Sequence, residues 1–276
     1  MDRPVYFAKV VRDRTIVNGV NQAELEEYKR EKKVVGSLFY QEKKCENFLH
    51  CDSETKDTEY NLRDLKTFKC LKNDTIQLTP VDIAKQSTRI YVSGPSGVGK
   101  SVYVAKFLKE YNNRYPERKI YLFSEKNDDE SFDDIKNLEI VDLEDMKNEP
   151  YCCEDLSMSC CVFDDFDSIS DKNIKQNVVK TLNTVLCVGR SYSITVLTTT
   201  HKLKANQLSM MAINESNYFT IFTRANKKQN YDFIVDKLGI DKKTAETIVN
   251  QRSRTVTIRN HYPQLYITDN EVHLIE

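Results

Sequence analysis

The chain has 276 residues, of which 39% are hydrophobic and 30% charged, and its formal net charge is −1. Its length, with 15 Tyr and 12 Phe, supplies enough apolar surface for a large core, which excludes a disordered chain or a small domain stapled by disulfides or metal. The balanced charge excludes a general polycation that coats nucleic acid, and no apolar run reaches the roughly 18 residues of a membrane-spanning helix. The stretch Met1 to Arg14 has no apolar core of a signal peptide, so the expectation is an intracellular protein with reduced thiols.

Residues 1–85 read as an N-terminal extension or small subdomain, and residues 86–276 as an alternating α/β domain. In the first part, Val5 to Val11 and Ile16 to Val20 are candidate strands and Ala23 to Lys33 a charged helix, while Glu42 to Asp74 shows no clean period. Cys45, Cys51 and Cys70, with His50, lack the paired spacing of structural zinc ligands, which argues against a metal there. From Arg89 the pattern clears. Ile90 to Ser93 reads as a short apolar strand, Ser101 to Tyr111 as a helix with Val104, Ala105 and Leu108 on one face, and Lys119 to Ser124 as a second strand. Cys160 to Phe163 is a third strand and Asn173 to Val188 a helix. Ile194 to Thr200 and Tyr218 to Thr223 are further strands, the former rich in β-branched residues. Helices follow at Gln229 to Leu238 and Lys242 to Asn250, then a strand at Thr255 to Arg259 and a hairpin turning at Asp269-Asn270. Alternating strands and helices imply a mostly parallel sheet covered on both faces. Cys152, Cys153, Cys160, Cys161 and Cys187 read as small buried hydrophobes.

Charge is uneven along the chain: residues 1–123 carry +6, 124–171 carry −14, 172–189 carry +3 and 190–276 carry +4. The acidic stretch is most simply a solvated face. If DNA is bound, a local surface must hold it, one that several subunits could assemble.

Three of only seven glycines fall in Gly94-Pro95-Ser96-Gly97-Val98-Gly99-Lys100-Ser101, which fits G-x4-G-K-[ST] in full. Glycines let successive N–H groups turn inward around phosphate oxygens, and the helix that follows favours an anion at its start. Lys100 then supplies a point charge for the β and γ phosphates, and Ser101 offers a hydroxyl to Mg2+. Cys160-Cys161-Val162-Phe163-Asp164-Asp165 is a buried strand ending in two acids, the Walker B pattern. Asp164 is the expected Mg2+ ligand and Asp165 the group that orients the attacking water. Asp167 reads as a helix cap. At the end of the strand Ile194 to Thr200, Thr200 and His201 are placed to touch the γ phosphate or the water. Arg190, after Gly189, could reach a phosphate across a subunit interface, with Arg224 as the second candidate.

Ser93 to Ser101, SGPSGVGKS, resembles the P-loop of guanylate kinases. Such a kinase carries an Arg- and Tyr-rich acceptor segment soon after the loop, whereas here Ser124-Glu125-Lys126-Asn127-Asp128-Asp129-Glu130 is acidic and repels a nucleotide phosphate. The segments IYVSGPSGVGKS, KIYLFSE, VFDDFDS and VGRSYSITVLTTTH, in that order, are more similar to the FtsK/HerA superfamily, and within it to the genome-packaging ATPases of large nucleocytoplasmic DNA viruses, the poxvirus and iridovirus type. The resemblance covers residues 86–276. It implies an α/β P-loop NTPase fold of the RecA/FtsK kind, ATP and Mg2+ as cofactors, and a ring of five or six copies around double-stranded DNA. It also implies a viral capsid or portal partner, no membrane insertion, and a location in the host cytoplasm or the virion. The family places a polar sensor, usually Gln, where this chain has His201. A nucleoside or nucleotide kinase and a non-hydrolysing, nucleotide-gated assembly protein stand as alternatives.

Overall fold

The computed structural model describes residues 8–12, 34–40, 43–51, 67–69, 74–78, 82–83 and 86–275, apart from 127, 204–208, 262–263 and 270, with side chains beyond residue 86. In the first part lie β1 (Ala8–Arg12), β2 (Val34–Tyr40), β3 (Lys43–Cys51), β4 (Thr67–Lys69), β5 (Asp74–Leu78), β6 (Asp82–Ile83) and β7 (Gln86–Ser87). The second part begins with β8 (Arg89–Ser93), α1 (Lys100–Arg114), β9 (Ile120–Phe123), β10 (Leu138–Ile140), β11 (Cys160–Phe163) and α2 (Lys172–Val188). It continues with β12 (Thr195–Thr200), α3 (Met210–Glu215), β13 (Tyr218–Phe222), α4 (Lys227–Asp236), α5 (Lys242–Val249), β14 (Thr255–Arg259), β15 (Leu265–Ile267) and β16 (Glu271–Leu274).

One long sheet has the order β10-β9-β11-β12-β8-β13-β14-β15-β16-β4-β3-β2. From β10 to β13 every pairing is parallel. From β13 onward every pairing is antiparallel. The expected parallel α/β core is therefore present, with an antiparallel arm attached to one edge.

Side chains on successive strand residues point to opposite faces, and here both faces are buried. Ile90, Val92, Ile120, Leu122, Cys160 and Val162 pack with Val104 and Leu108 of α1. Their neighbours Tyr91, Phe123, Cys161 and Phe163 pack on the other face with α2, α4 and α5. Phe123 and Phe163 are partners in the β9–β11 register and stack with ring centroids 4.6 Å apart. This two-sided burial explains why these strands read as continuous apolar runs rather than alternating ones.

Most expected elements from Arg89 onward are found within a residue or two. The strand β10 was not expected, because three residues at a sheet edge within an acidic stretch carry no period. Nor were α3, a helix of six residues, or β3 and β4 within Glu42 to Asp74. β1 overlaps the expected Val5 to Val11 strand, while Ile16 to Val20, Ala23 to Lys33 and the side chains of Cys45, His50, Cys51 and Cys70 lie outside the described residues. Two expectations are corrected. Asp167 is no cap: it lies within the 3-10 turn Phe166–Ser168, and α2 is capped by Asp171, which accepts from the N–H groups of Asn173 and Ile174. Cys153, Cys160 and Cys161 are buried, but Cys152 and Cys187 are exposed.

Candidate nucleotide-binding site

The glycine loop leaves the carboxyl end of β8, which is held between β12 and β13. The Gly94 N–H donates to the Thr200 carbonyl at 3.1 Å, so the loop starts against the next strand. A Cβ on Gly94 would stand 2.8 Å from both Phe222 and Val98. Gly97 and Gly99 have φ of 76° and 103°, a region that only glycine enters freely. Gly99 caps α1 with no side-chain hydrogen bond. An α-helix leaves its first N–H groups without intrahelical acceptors, and here those groups belong to Lys100, Ser101 and Val102. An uncapped helix start behind a glycine turn fits a phosphate chain.

Lys100 is buried, and its Nζ donates to the Gly94 carbonyl at 2.9 Å, which folds the side chain back over the loop. The same Nζ is 3.2 Å from Asp165 Oδ1. Strand β12 lies between β8 and β11, and the register sets Phe163 beside Thr198. The next pair is therefore Asp164 and Thr199. The Thr199 hydroxyl donates to Asp164 Oδ1 at 2.7 Å and accepts from the Asp165 N–H at 2.7 Å. That second bond holds Asp165 in a left-handed conformation, φ 43°, which costs a non-glycine residue about 1–2 kcal/mol. Backbone strain of this kind concentrates at functional sites.

Asp165 is a hub. Besides Lys100, His201 Nε2 lies 3.1 Å and Lys126 Nζ 3.4 Å from Asp165 Oδ2. His201 Nδ1 is 3.4 Å from Lys100 Nζ, so the imidazole bridges both Walker elements. Burial pushes the Asp164 carboxyl above its ordinary range, against the hydrogen bond from Thr199. Burial also raises Asp167, whose buried Oδ1 has no hydrogen-bond partner. Asp129 faces Ser101. Burial would raise its carboxyl, but hydrogen bonds from Ser101 and Ser131 outweigh it and leave the group below the ordinary value.

Among the described residues, no group of three or more His, Cys, Asp or Glu is placed to hold a metal ion. Mg2+ asks for less, since it keeps several waters and takes one or two protein carboxylates beside phosphate oxygens. Ser101 and Asp164 fit that requirement.

Lys100, Asp164, Asp165, Ser101 and His201 are thus gathered at one end of the parallel strands. Thr200 is turned away, its hydroxyl bonding the Tyr91 hydroxyl at 3.1 Å. Arg190 is exposed in the 3-10 turn Gly189–Tyr192, ahead of β12, where its charge acts on Arg89 at the start of β8. That is the end of the sheet opposite the glycine loop. Arg224 is exposed just past β13, at the same end as the loop.

Thr199, Ser124, Lys126, Asp129 and Arg254 join the site without a motif to mark them. Arg254 donates from Nη2 and Nε to the Val98 carbonyl, at 2.7 and 3.2 Å. A Cβ on Gly99 would meet its Nη2 at 2.7 Å. The available signal was the expected strand Thr255 to Arg259: run antiparallel to its neighbour, it must begin at the end where the glycine loop lies.

A family model described as RNA helicase matches residues 90–160, from the strand before the glycine loop to the start of the Walker B strand. By sequence, the chain is 28% identical over 183 residues to the uncharacterized protein V3 of the Sputnik virophage, covering 66% of this chain and 74% of that protein. Among solved structures, the DNA-packaging ATPase B204 of Sulfolobus turreted icosahedral virus aligns over 67% of this chain and 96% of its own, with TM-score 0.46 and 12% identity. The pCW3 conjugation coupling protein TcpA aligns over 72% of this chain and 62% of its own, with TM-score 0.43 and 12% identity. The strand order, the glycine loop opening α1 and the paired acids ending β11 make this chain an α/β P-loop NTPase fold, and viral genome-packaging NTPases are among its structural neighbours.

Proposed function

We propose that the protein is a Mg2+-dependent ATPase that translocates double-stranded DNA and packages a viral genome as an oligomeric ring. The observation that carries the hydrolytic part is the meeting of Lys100, Asp165 and His201 within 3.4 Å of one another at the ends of β8, β11 and β12. A kinase needs no carboxylate to handle water, yet here a strained backbone holds one in place.

Each residue then has a defined task. The N–H groups of Gly97 to Ser101 and the Lys100 ammonium bind the phosphates, with Pro95, Ser96 and Val98 shaping the turn. Ser101 and Asp164 would hold Mg2+, which supplies charge neutralisation at the phosphates when bound. Asp165 orients the attacking water and accepts its proton, and His201 lies between that carboxylate and Lys100. Arg190 is far from its own chain's loop, so any phosphate it touches belongs to a neighbouring subunit. Arg224 stands at the loop's own end and is the alternative donor.

The viral setting is supported by the sequence likeness to a virophage protein and by the family resemblance of residues 86–276. With these go a homo-oligomeric ring of five or six copies, a capsid or portal partner and action in the host cytoplasm or virion. Residues 1–85 form an extension, consistent with β4, β3 and β2 lengthening the sheet beyond β16. Among the described residues no helix is long and apolar enough to cross a membrane.

The deciding experiment is steady-state ATP hydrolysis with and without long duplex DNA across a salt series, with Lys100→Ala as control. DNA stimulation that weakens with salt is expected, because backbone contacts release counterions. Turnover indifferent to DNA at every salt concentration would overturn the translocase. Phosphate transfer to a nucleoside monophosphate would support a kinase, and binding without turnover an assembly protein.

A further inference from the structure

The turn after β9 does chemistry-related work that neither Walker segment encodes. β9 lies beside β11, and the Asp164 N–H donates to the Phe123 carbonyl at 2.9 Å. Ser124 is thereby set against Asp164, and its hydroxyl lies 3.4 Å from Asp164 Oδ2. The same hydroxyl accepts from the Lys126 N–H at 3.0 Å, closing a tight side-chain turn. Ser124 is 3% exposed, so the base of this turn is buried against the site. It aims Lys126 at Asp165, with Nζ 3.4 Å from Oδ2.

Asp165 is 7% exposed. A buried carboxylate that loses its only counter-charge is strongly destabilised. Lys100 is the buried cation on Asp165, yet the phosphates require Lys100 for themselves. When a triphosphate draws Lys100 away, His201 and Lys126 remain on Asp165 Oδ2, and of these Lys126 is the standing cation, because the imidazole is charged only when protonated.

We propose that Lys126 is that cation: a positioning residue that stays paired with Asp165 and keeps it oriented once Lys100 has turned to the phosphates. The inference rests on the ATPase reading above. Lys126 touches neither water nor phosphate in this role. It acts through Oδ2 of Asp165, while Oδ1, which faces Lys100, becomes available to the attacking water.

The test uses full-length Lys126→Ala and Lys126→Arg beside wild type and Lys100→Ala. Lys126→Ala should lower kcat about 10–100-fold, the usual cost of losing a supporting partner of an active-site group, with little change in the Kd of a non-hydrolysable ATP analogue. Lys126→Arg should recover most of that loss. Lys126 is largely exposed, so melting temperature should not move. A second readout needs no turnover. Acylation of Lys126, followed by mass spectrometry, should slow when the analogue binds to wild type and stay constant in Asp165→Asn. Wild-type turnover in Lys126→Ala would overturn the proposal, as would a Kd that weakens as much as kcat falls, which would make Lys126 a phosphate ligand. A wild-type protein that hydrolyses nothing would sink the ATPase reading instead, and the acylation comparison would still decide whether Lys126 tightens on Asp165.

Discussion

The two halves of the long sheet differ in strand direction, and the difference decides where chemistry can sit. From β10 to β13 all strands run one way, so their carboxyl ends line one edge. The segments leaving β8, β9, β11 and β12 meet there, bringing Gly94, Ser124, Asp164 and His201 together from across a hundred residues of chain. Beyond β13 direction alternates. Only every second turn returns to that edge, and those turns carry Arg254 and Asp269, joined through the Arg254 N–H and Asp269 Oδ2 at 3.4 Å. The parallel half gathers reacting groups, and the antiparallel half braces the loop that holds them.

This contrast can be broken by substitution. The largest effect is expected from Asp165→Asn on the parallel side. Nucleotide binding should persist while turnover falls about 10^3-fold, within the range lost with a general base. Normal hydrolysis by this variant, in a steady-state assay, would show that Asp165 does not handle the water.

Thr199→Val comes next. It strips a hydrogen-bond donor from Asp164 and an acceptor from the Asp165 N–H, both buried. Chemical denaturation should register a loss of about 1–3 kcal/mol. A pH effect accompanies it. Burial already holds the Asp164 carboxyl above its ordinary range, and Thr199 is the main restraint. Without that bond the carboxyl climbs further and protonates at higher pH on acidification, and in the proposed role it would then release Mg2+. The acid limb of the turnover profile should therefore move to higher pH, and an unmoved limb would separate Asp164 from metal binding.

Gly99→Ala should cost about 1–2 kcal/mol for a side chain at positive φ. It should also weaken nucleotide binding, because the added Cβ meets Arg254 at 2.7 Å. Pairing it with Arg254→Ala tests the contact directly: relief of part of the binding defect in the double variant is expected. Alone, Arg254→Ala is the smallest change. Its guanidinium is exposed and bonds a neutral carbonyl, a link worth about 1 kcal/mol, or roughly a fivefold rise in the Kd of a fluorescent nucleotide. A loss as great as that of Asp165→Asn would mean the antiparallel half is catalytic after all.

Legibility in the sequence followed the same division. The glycine loop is local: eight consecutive residues between a strand and a helix contain the whole phosphate cradle. The Walker B strand was equally readable, as four apolar residues closed by Asp164 and Asp165. Thr199 was not. The strand Thr195–Thr200 ends in three threonines, and nothing in their order says which one faces Asp164. Lys126 and Asp129 were hidden differently, inside an acidic run that looked like solvated surface until the sheet brought its first residues against the site.

The sequence by itself determined the α/β class, the phosphate loop and the identity of the paired carboxylates, because each depends on contacts between near neighbours in the chain. Tertiary structure alone decided that β12 lies between β8 and β11, that Thr199 rather than Thr200 binds the Walker B acids, and that Lys126 joins Lys100 on Asp165. It also placed Arg190 at the opposite end of the sheet. Strand order and register are set by packing between segments far apart in sequence, and no local spacing encodes them.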